Sequence, residues 1–79
     1  MKVNVSDLAN NVRSQEQLAR FLKALSDDFD RETDRWENGS VDAYLESISA
    51  FLESSENFTL PEHGWMQIAH IFLAGKFYE

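Results

Sequence analysis

Apolar positions recur at helical spacing in three separate stretches of the chain. Leu18, Phe21, Leu22, Leu25 and Phe29 stand at i, i+3, i+4, i+7 and i+11, which forms one apolar stripe of an amphipathic helix. Ser14 opens this stretch with Gln17 three residues on, the spacing of a capping box. Glu16–Arg20 and Lys23–Asp27 fall on the other face at i, i+4, each pair adding about a few tenths of a kcal/mol. The second stripe is Val41, Tyr44, Leu45, Ile48, Phe51 and Leu52. Ser40 is its predicted N-cap, with Asp42 in the first turn where the helix dipole favours an anion. A line of small residues, Ala43, Ser47, Ala50 and Ser54, follows another face. The third stretch has Trp65, Ile68, Ala69, Phe72 and Leu73 on its main face, while Met66, Ile71, Phe77 and Tyr78 extend apolarity around most of the circumference. A helix with that pattern lies centrally or at an interface.

The connections are less regular. Val5 to Val12 reads as a short helical turn or arm, with Ser6 as its cap and Leu8 and Val12 spaced to dock. Asp30 to Gly39 is polar with weak periodicity, and Trp36 is expected to plug the edge of the core. Asn38-Gly39 is a turn signal because both residues tolerate positive φ. Ser55 to Gly64 reads as a loop from which Phe58 and Leu60 fold back, with Thr59 and Glu62 at capping-box spacing. With one Pro and three Gly in 79 residues, the pattern predicts an all-α fold: a small three-helix bundle with a short N-terminal helical turn. It predicts a single helical domain over 1–79, with residues 1–13 as an N-terminal arm or short helix and 14–79 as the core. The expected core centre is Leu22, Leu25, Tyr44, Leu45, Ile48, Leu52, Trp65, Ile68 and Phe72.

Charge adds an asymmetry. The net charge is −7. Residues 1–39 hold six basic and eight acidic side chains, whereas residues 40–79 hold only Lys76 against six acids. Phosphate-backbone binding needs clustered Lys and Arg, so nucleic acid is not an expected partner. Cysteine is absent, which removes disulfides and thiolate chemistry and suits a reducing compartment. The polar start, Met1 to Asp7, lacks the apolar run of a signal peptide, and no stretch of apolar residues is long enough for a membrane span. A cytoplasmic protein is expected.

Catalytic and metal signatures fail on spacing. Starting at Asp28, acids fall at positions 1, 3, 5 and 7 of a calcium loop, but Thr33 stands where the turn needs Gly and Gly39 where the bidentate Glu belongs. His63 and His70 are seven residues apart, about 10 Å along a helix and too far for one zinc. Leu73-Ala74-Gly75-Lys76 lacks the glycine spacing and preceding strand of a phosphate loop. Trp36, Trp65, Tyr44, Phe51 and Phe72 invite a ligand-cage reading, but aromatics at helical spacing are far more often core. The expectation is no enzyme and no cofactor.

Three segments together resemble a known family. They are Trp36-Glu37-Asn38-x-Ser40-x-x-x-Tyr44-Leu45-Glu46, then Pro61-Glu62 with Trp65, and the ending Leu73 to Tyr78-Glu79. They resemble a family of small bacterial all-helical domains of unknown function, with a Trp-Glu-Asn-x-Ser/Thr segment and a C-terminal Trp helix ending in Tyr-Glu. The resemblance covers about residues 14–79. The chain departs from it by a shorter loop before Pro61 and by Gly64 in place of a capping residue. The resemblance implies a fold and is silent on activity.

The sequence therefore points to a non-catalytic module that binds an unknown protein partner, with an immunity-type inhibitor as one form of that role. The alternative is a homo-oligomeric structural protein, a homodimer in the simplest case. The expected interface is Ile71, Ala74, Gly75 and Tyr78 on the third helix, with Asp42, Glu46 and Glu53 supplying the acidic surface.

Overall fold

The computed structural model describes residues 4–55 and 58–78. Among them there is no strand, and 77% is helical. The order is α1 (Val5–Asn10), α2 (Gln15–Arg31), a 3-10 turn (Thr33–Arg35), α3 (Val41–Ser54) and α4 (Glu62–Phe77). The fold class is all-α, as the three stripes require. The chain divides into two compact units, Met1–Ser47 and Ile48–Glu79.

In the first unit, α1 packs against α2, with Val5, Leu8 and Val12 half-buried. Its cap is Asn4 rather than Ser6. The Asn4 side-chain oxygen accepts from Ser6 N at 2.9 Å and from Asp7 N at 3.4 Å, so the helix starts one residue before the expected cap. An Asn cap is as good as a Ser cap here, because either side chain satisfies the same orphan amides.

α2 starts where predicted. Ser14 Oγ accepts from Gln17 N at 3.1 Å. The return bond of the capping box is displaced by one residue: Gln17 Oε1 accepts from Arg13 N, not from Ser14 N. Lys23 and Asp27 approach to 3.6 Å on the outer face, while Glu16 and Arg20 do not close to ion-pair distance among the described residues. Both ends of this pair are exposed, so it contributes little.

The polar segment after α2 folds more regularly than its periodicity suggests. Glu32 N donates to Asp28 O at 2.8 Å, and Arg35 N to Glu32 O at 2.9 Å. The Thr33 hydroxyl donates back to Phe29 O, a local bond that Thr readily makes to the preceding turn. Arg35 Nε lies 3.5 Å from Glu32 Oε2. The segment Asn38-Gly39 then leads into α3 with no hydrogen-bonded turn and no positive φ among the described residues, so the turn expected there is not formed.

Ser40 closes the N-terminus of α3. Its carbonyl accepts from Tyr44 N at 2.9 Å and its hydroxyl from Ala43 N at 3.4 Å. In the second unit, Phe58 does fold back, meeting Phe51 edge-on with centroids 5.8 Å apart. α4 begins at Glu62, inside the window from Pro61 to Trp65 that the sequence sets for its start. Pro61 is its N-cap and makes no side-chain cap bond, so the Thr59–Glu62 capping box is not formed and Gly64 lies inside the first turn. Gly64 N donates to Pro61 O at 2.8 Å.

None of the nine residues expected at the core centre is buried among the described residues. Leu25, Tyr44 and Ile48 are half-buried, and Leu22, Leu45, Leu52, Trp65, Ile68 and Phe72 are exposed. The physical reason is size: a unit built from one or two helices has too little chain to enclose an apolar face on all sides.

Gly64 gives a direct test of the helix start. A Cβ there would meet Leu60 Cβ and Pro61 Cδ at 3.6 Å each, ordinary van der Waals contact, and its φ is not positive. Gly64→Ala should therefore stabilise the protein by about 0.5–1 kcal/mol through lower unfolded-chain entropy. That corresponds to a rise of about 2–8 °C in a circular-dichroism melt for a chain this small. A fall in Tm would show that α4 does not begin at Pro61.

Candidate functional site

The best-defined side-chain cluster in the first unit is built on Trp36. The 3-10 turn ends at this residue, and Trp36 N donates to Thr33 O at 3.1 Å, which aims the indole back along α2. Its Nε1 donates to Asp28 Oδ2 at 2.9 Å in a partly buried bond. Its ring meets Phe29 edge-on, centroids 5.2 Å apart and planes at 82°. Its other side meets the Tyr44 ring at 5.8 Å, tilted by 32°. One side chain thus ties the end of α2 to the start of α3.

Two concavities adjoin this cluster. One, about 530 Å³, is lined by Asn4, Val5, Asp28, Arg31, Glu32, Arg35 and Trp36. Its lining holds two guanidinium groups and two carboxylates, those of Asp28 and Glu32; Arg31 Nε donates to the Asp27 backbone carbonyl at 3.4 Å, and Arg35 faces Glu32. It is polar but charge-balanced. The other, about 180 Å³, is lined by Phe29, Trp36, Asn38, Gly39, Ser40, Val41 and Tyr44, and its exposed walls are almost wholly apolar. Val41 stands at its mouth with 77% of its surface exposed.

Two acids of the calcium-loop pattern have local partners: Asp28 receives the indole N–H and Glu32 faces Arg35, while Asp27 just before the pattern faces Lys23. Among the described residues no three His, Asp or Glu side chains converge on a point. His63 and His70 are both exposed on α4.

Asp42 is the one group with a clear electrostatic signature. The Ser40 hydroxyl hydrogen-bonds its carboxylate, and the Ala43 and Asp42 backbone amides add to this. These donors hold its carboxyl below the usual aspartate range, because each favours the charged form.

The expected interface residues fall into two sets. Ile71, Ala74 and Gly75 line one stripe of α4, and Tyr78 stands just beyond, its N–H donating to Ala74 O at 2.9 Å. All four are exposed, Tyr78 at 89%. Asp42, Glu46 and Glu53 are exposed on α3, the first two in the first unit and Glu53 in the second. Of the five aromatics in the ligand-cage pattern, Trp36 and Tyr44 share one cluster in the first unit, and Trp65, Phe51 and Phe72 belong to the second. Sequence reasoning missed Phe29 and Asp28 as partners of Trp36. The signal was their i+7 and i+8 spacing across a helix end, which a purely helical period does not reveal.

A family model matches residues 14–79, and its description is a family of unknown function, DUF7660. The chain belongs to the DUF7660 family. No curated protein and no solved structure matches it. The family match spans α2, the Trp36 cluster, α3 and α4, and leaves α1 outside.

Two outcomes test this cluster. Asp28→Ala should cost about 1–2 kcal/mol in denaturant unfolding, since it strands a partly buried indole donor, and it should move the Trp36 Nε1–H resonance. In a double-mutant cycle with Trp36→Phe the two losses should not add; strict additivity would separate Asp28 from Trp36. For Asp42, carboxyl ¹³C titration should give a midpoint below the ordinary aspartate range, and Ser40→Ala should raise it. The stabilisation from Asp42 is present above the unfolded-state pKa and is lost as pH falls through the lower folded one. A midpoint unmoved by Ser40→Ala would remove the hydroxyl as the cause.

Proposed function

We propose that this DUF7660 protein is a non-catalytic, cytoplasmic protein-binding module whose partner contacts α4. The observation that supports this is the exposure of α4 around its circumference: Met66, Ile71, Phe72, Leu73, Phe77 and Tyr78 are all more than 45% exposed, and Trp65 and Ile68 are close behind. Apolar surface so continuous is a binding feature or an aggregation hazard in a free protein. No helix of the described residues is long and apolar enough to cross a membrane, so lipid burial of α4 as a span is not an alternative use for it.

Charge favours a different protein over a second copy. Residues 40–79 carry a net −5. Two such surfaces repel one another, whereas a basic partner gains apolar burial and electrostatic attraction together. An immunity-type role, in which the acidic face covers the basic site of a toxin, is the specific form of this reading.

A second reading, the homo-oligomer, draws on one feature of its own. Ile71, Ala74 and Gly75 form a stripe on which nothing lies within 4 Å of a Cβ built at Gly75, leaving room for close approach of a second helix. Sedimentation separates the two. A wild type that stays monomeric at high micromolar concentration supports the partner reading. A dimeric wild type, made monomeric but still folded by Ile71→Glu, and by Gly75→Leu, overturns it in favour of self-assembly.

A further inference from the structure

The link between Trp36 and Ser40 holds a reactive pair. Asn38 is followed by Gly39, and the main-chain nitrogen after an asparagine is a latent nucleophile toward that side chain's carbonyl carbon. Attack closes a small ring within one molecule, so proximity is built in. What limits the step is access to the nitrogen and the freedom to bring it onto Cγ. Of the five asparagines, Asn38 alone precedes a glycine, which puts no Cβ over its own nitrogen. Asn4 and Asn11 precede valines, Asn10 precedes Asn11, and Asn57 precedes Phe58.

The fold leaves this pair open. It lies between the 3-10 turn and α3, outside any helix. Among the described residues the Gly39 N–H donates no hydrogen bond, and the Asn38 side chain makes none. Gly39 is exposed, and nothing lies within 4 Å of a Cβ built on it. The asparagines near α1 are held. The nitrogen after Asn10 donates to Leu8 O at 3.1 Å, and the one after Asn11 donates to Ala9 O at 3.4 Å. Asn11 Nδ2 also donates to Asp7 O at 2.8 Å, and Asn4 Oδ1 accepts from Ser6 N at 2.9 Å. Asn38 therefore differs from them in its neighbour and in its freedom. Its place is also sensitive, since it lines the groove with Trp36 and Tyr44 just before the Ser40 cap of α3.

We propose that Asn38-Gly39 is a self-modification site, at which the folded chain converts its own asparagine to isoaspartate and aspartate, and that the conversion loosens the Trp36 clamp. The Gly39 nitrogen gives its proton to a solvent base and bonds to Asn38 Cγ. The Cγ–Nδ2 bond breaks, and Nδ2 leaves as ammonia. Water then opens the cyclic imide. Addition at Cγ restores the original main chain with a carboxylate on the side chain. Addition at the Asn38 main-chain carbonyl leaves the chain running through Cβ and Cγ, one carbon longer, with the former main-chain carbonyl as a free carboxylate. The balance is amide plus water to carboxylate plus ammonium, with no change of oxidation state. The longer main chain alters the span from Trp36 to Tyr44, whose rings meet at 5.8 Å. The new charge adds to Glu37 and Asp42 on either side in the chain. Neither step involves α4, so the inference stands apart from the protein-binding reading.

The test holds the full chain in mildly alkaline buffer, samples it over time and maps peptides by mass, with electron-transfer fragmentation separating isoaspartate from aspartate. The peptide containing Asn38 should gain the mass difference between a hydroxyl and an amino group, while Asn4, Asn10 and Asn11 stay unchanged over the same period. The urea-unfolded chain is the reference, and the folded chain should convert at a similar rate because the fold does not cover the pair. Gly39→Ala places its Cβ in open space at a φ that is not positive, so its circular-dichroism spectrum should match the wild type. Its conversion should be about tenfold or more slower, the effect of a barrier about 1.4 kcal/mol higher. In the ¹⁵N-labelled wild type, the original Trp36 Nε1–H resonance should fade in step with conversion as a new one grows, and the Tm should fall. A folded chain that converts far more slowly than the unfolded one overturns the site, as does Gly39→Ala converting at the wild-type rate. Conversion that leaves the Trp36 resonance and the Tm unmoved overturns the effect on the clamp.

Discussion

The hydrogen bond from the Trp36 indole to Asp28, with the rings of Phe29 and Tyr44 on either side, is the contact on which the first unit is organised. Through it one side chain links the end of α2 to the start of α3. The indole suits this place because it brings a large apolar body and one donor. The body covers Phe29 and Tyr44, and the donor finds a carboxylate that would otherwise be only one more acid in a crowded polar segment. Phenylalanine would keep the packing and lose the anchor that fixes its orientation.

That arrangement explains which parts of the fold were legible in the sequence. α2 and α3 were read nearly to the residue, because Ser14 and Ser40 are strong N-caps followed by clear apolar periods. The 3-10 turn was not, since Thr33-Asp34-Arg35 has no apolar period and is held by backbone and Thr33 bonds. α4 starts inside the window from Pro61 to Trp65 that its sequence sets. Gly64 looks like a loop residue, yet it sits within the first turn, where Pro61 has already set the backbone. The core was the poorest reading. Stripe analysis says which side chains share a face, not whether enough chain exists to cover that face, and here Leu22, Leu45 and Trp65 stay exposed.

The candidate sites divide along the same line. Ile71, Ala74, Gly75 and Tyr78 were placed together by helical spacing alone, and the helix delivers them to one stripe. The aromatic groove could not be found that way. Phe29 comes from α2, Trp36 from the residue after the 3-10 turn, and Val41 and Tyr44 from α3, so their meeting depends on the path of the chain between the helices, which periodicity does not encode. The acids followed a similar course: in a run with the spacing of a calcium loop, Asp28 is taken by the Trp36 indole and Glu32 by Arg35.

The family resemblance can then be given physical content. In the segment that carries it, Trp36 supplies the indole clamp, Ser40 supplies the α3 cap and a hydrogen bond to Asp42, and Tyr44 closes the clamp one turn later. Pro61-Glu62 starts α4, and Tyr78 ends it with a bond to Ala74. Each of these residues has a folding task, which accounts for a motif that names no chemistry. Val41 does not share in that account. It makes no cap, joins no ring pair and stays in solvent, yet it stands at the mouth of a groove whose other walls are fixed by the motif. A side chain that does nothing for the helix that carries it is one that the folding tasks of the motif do not explain.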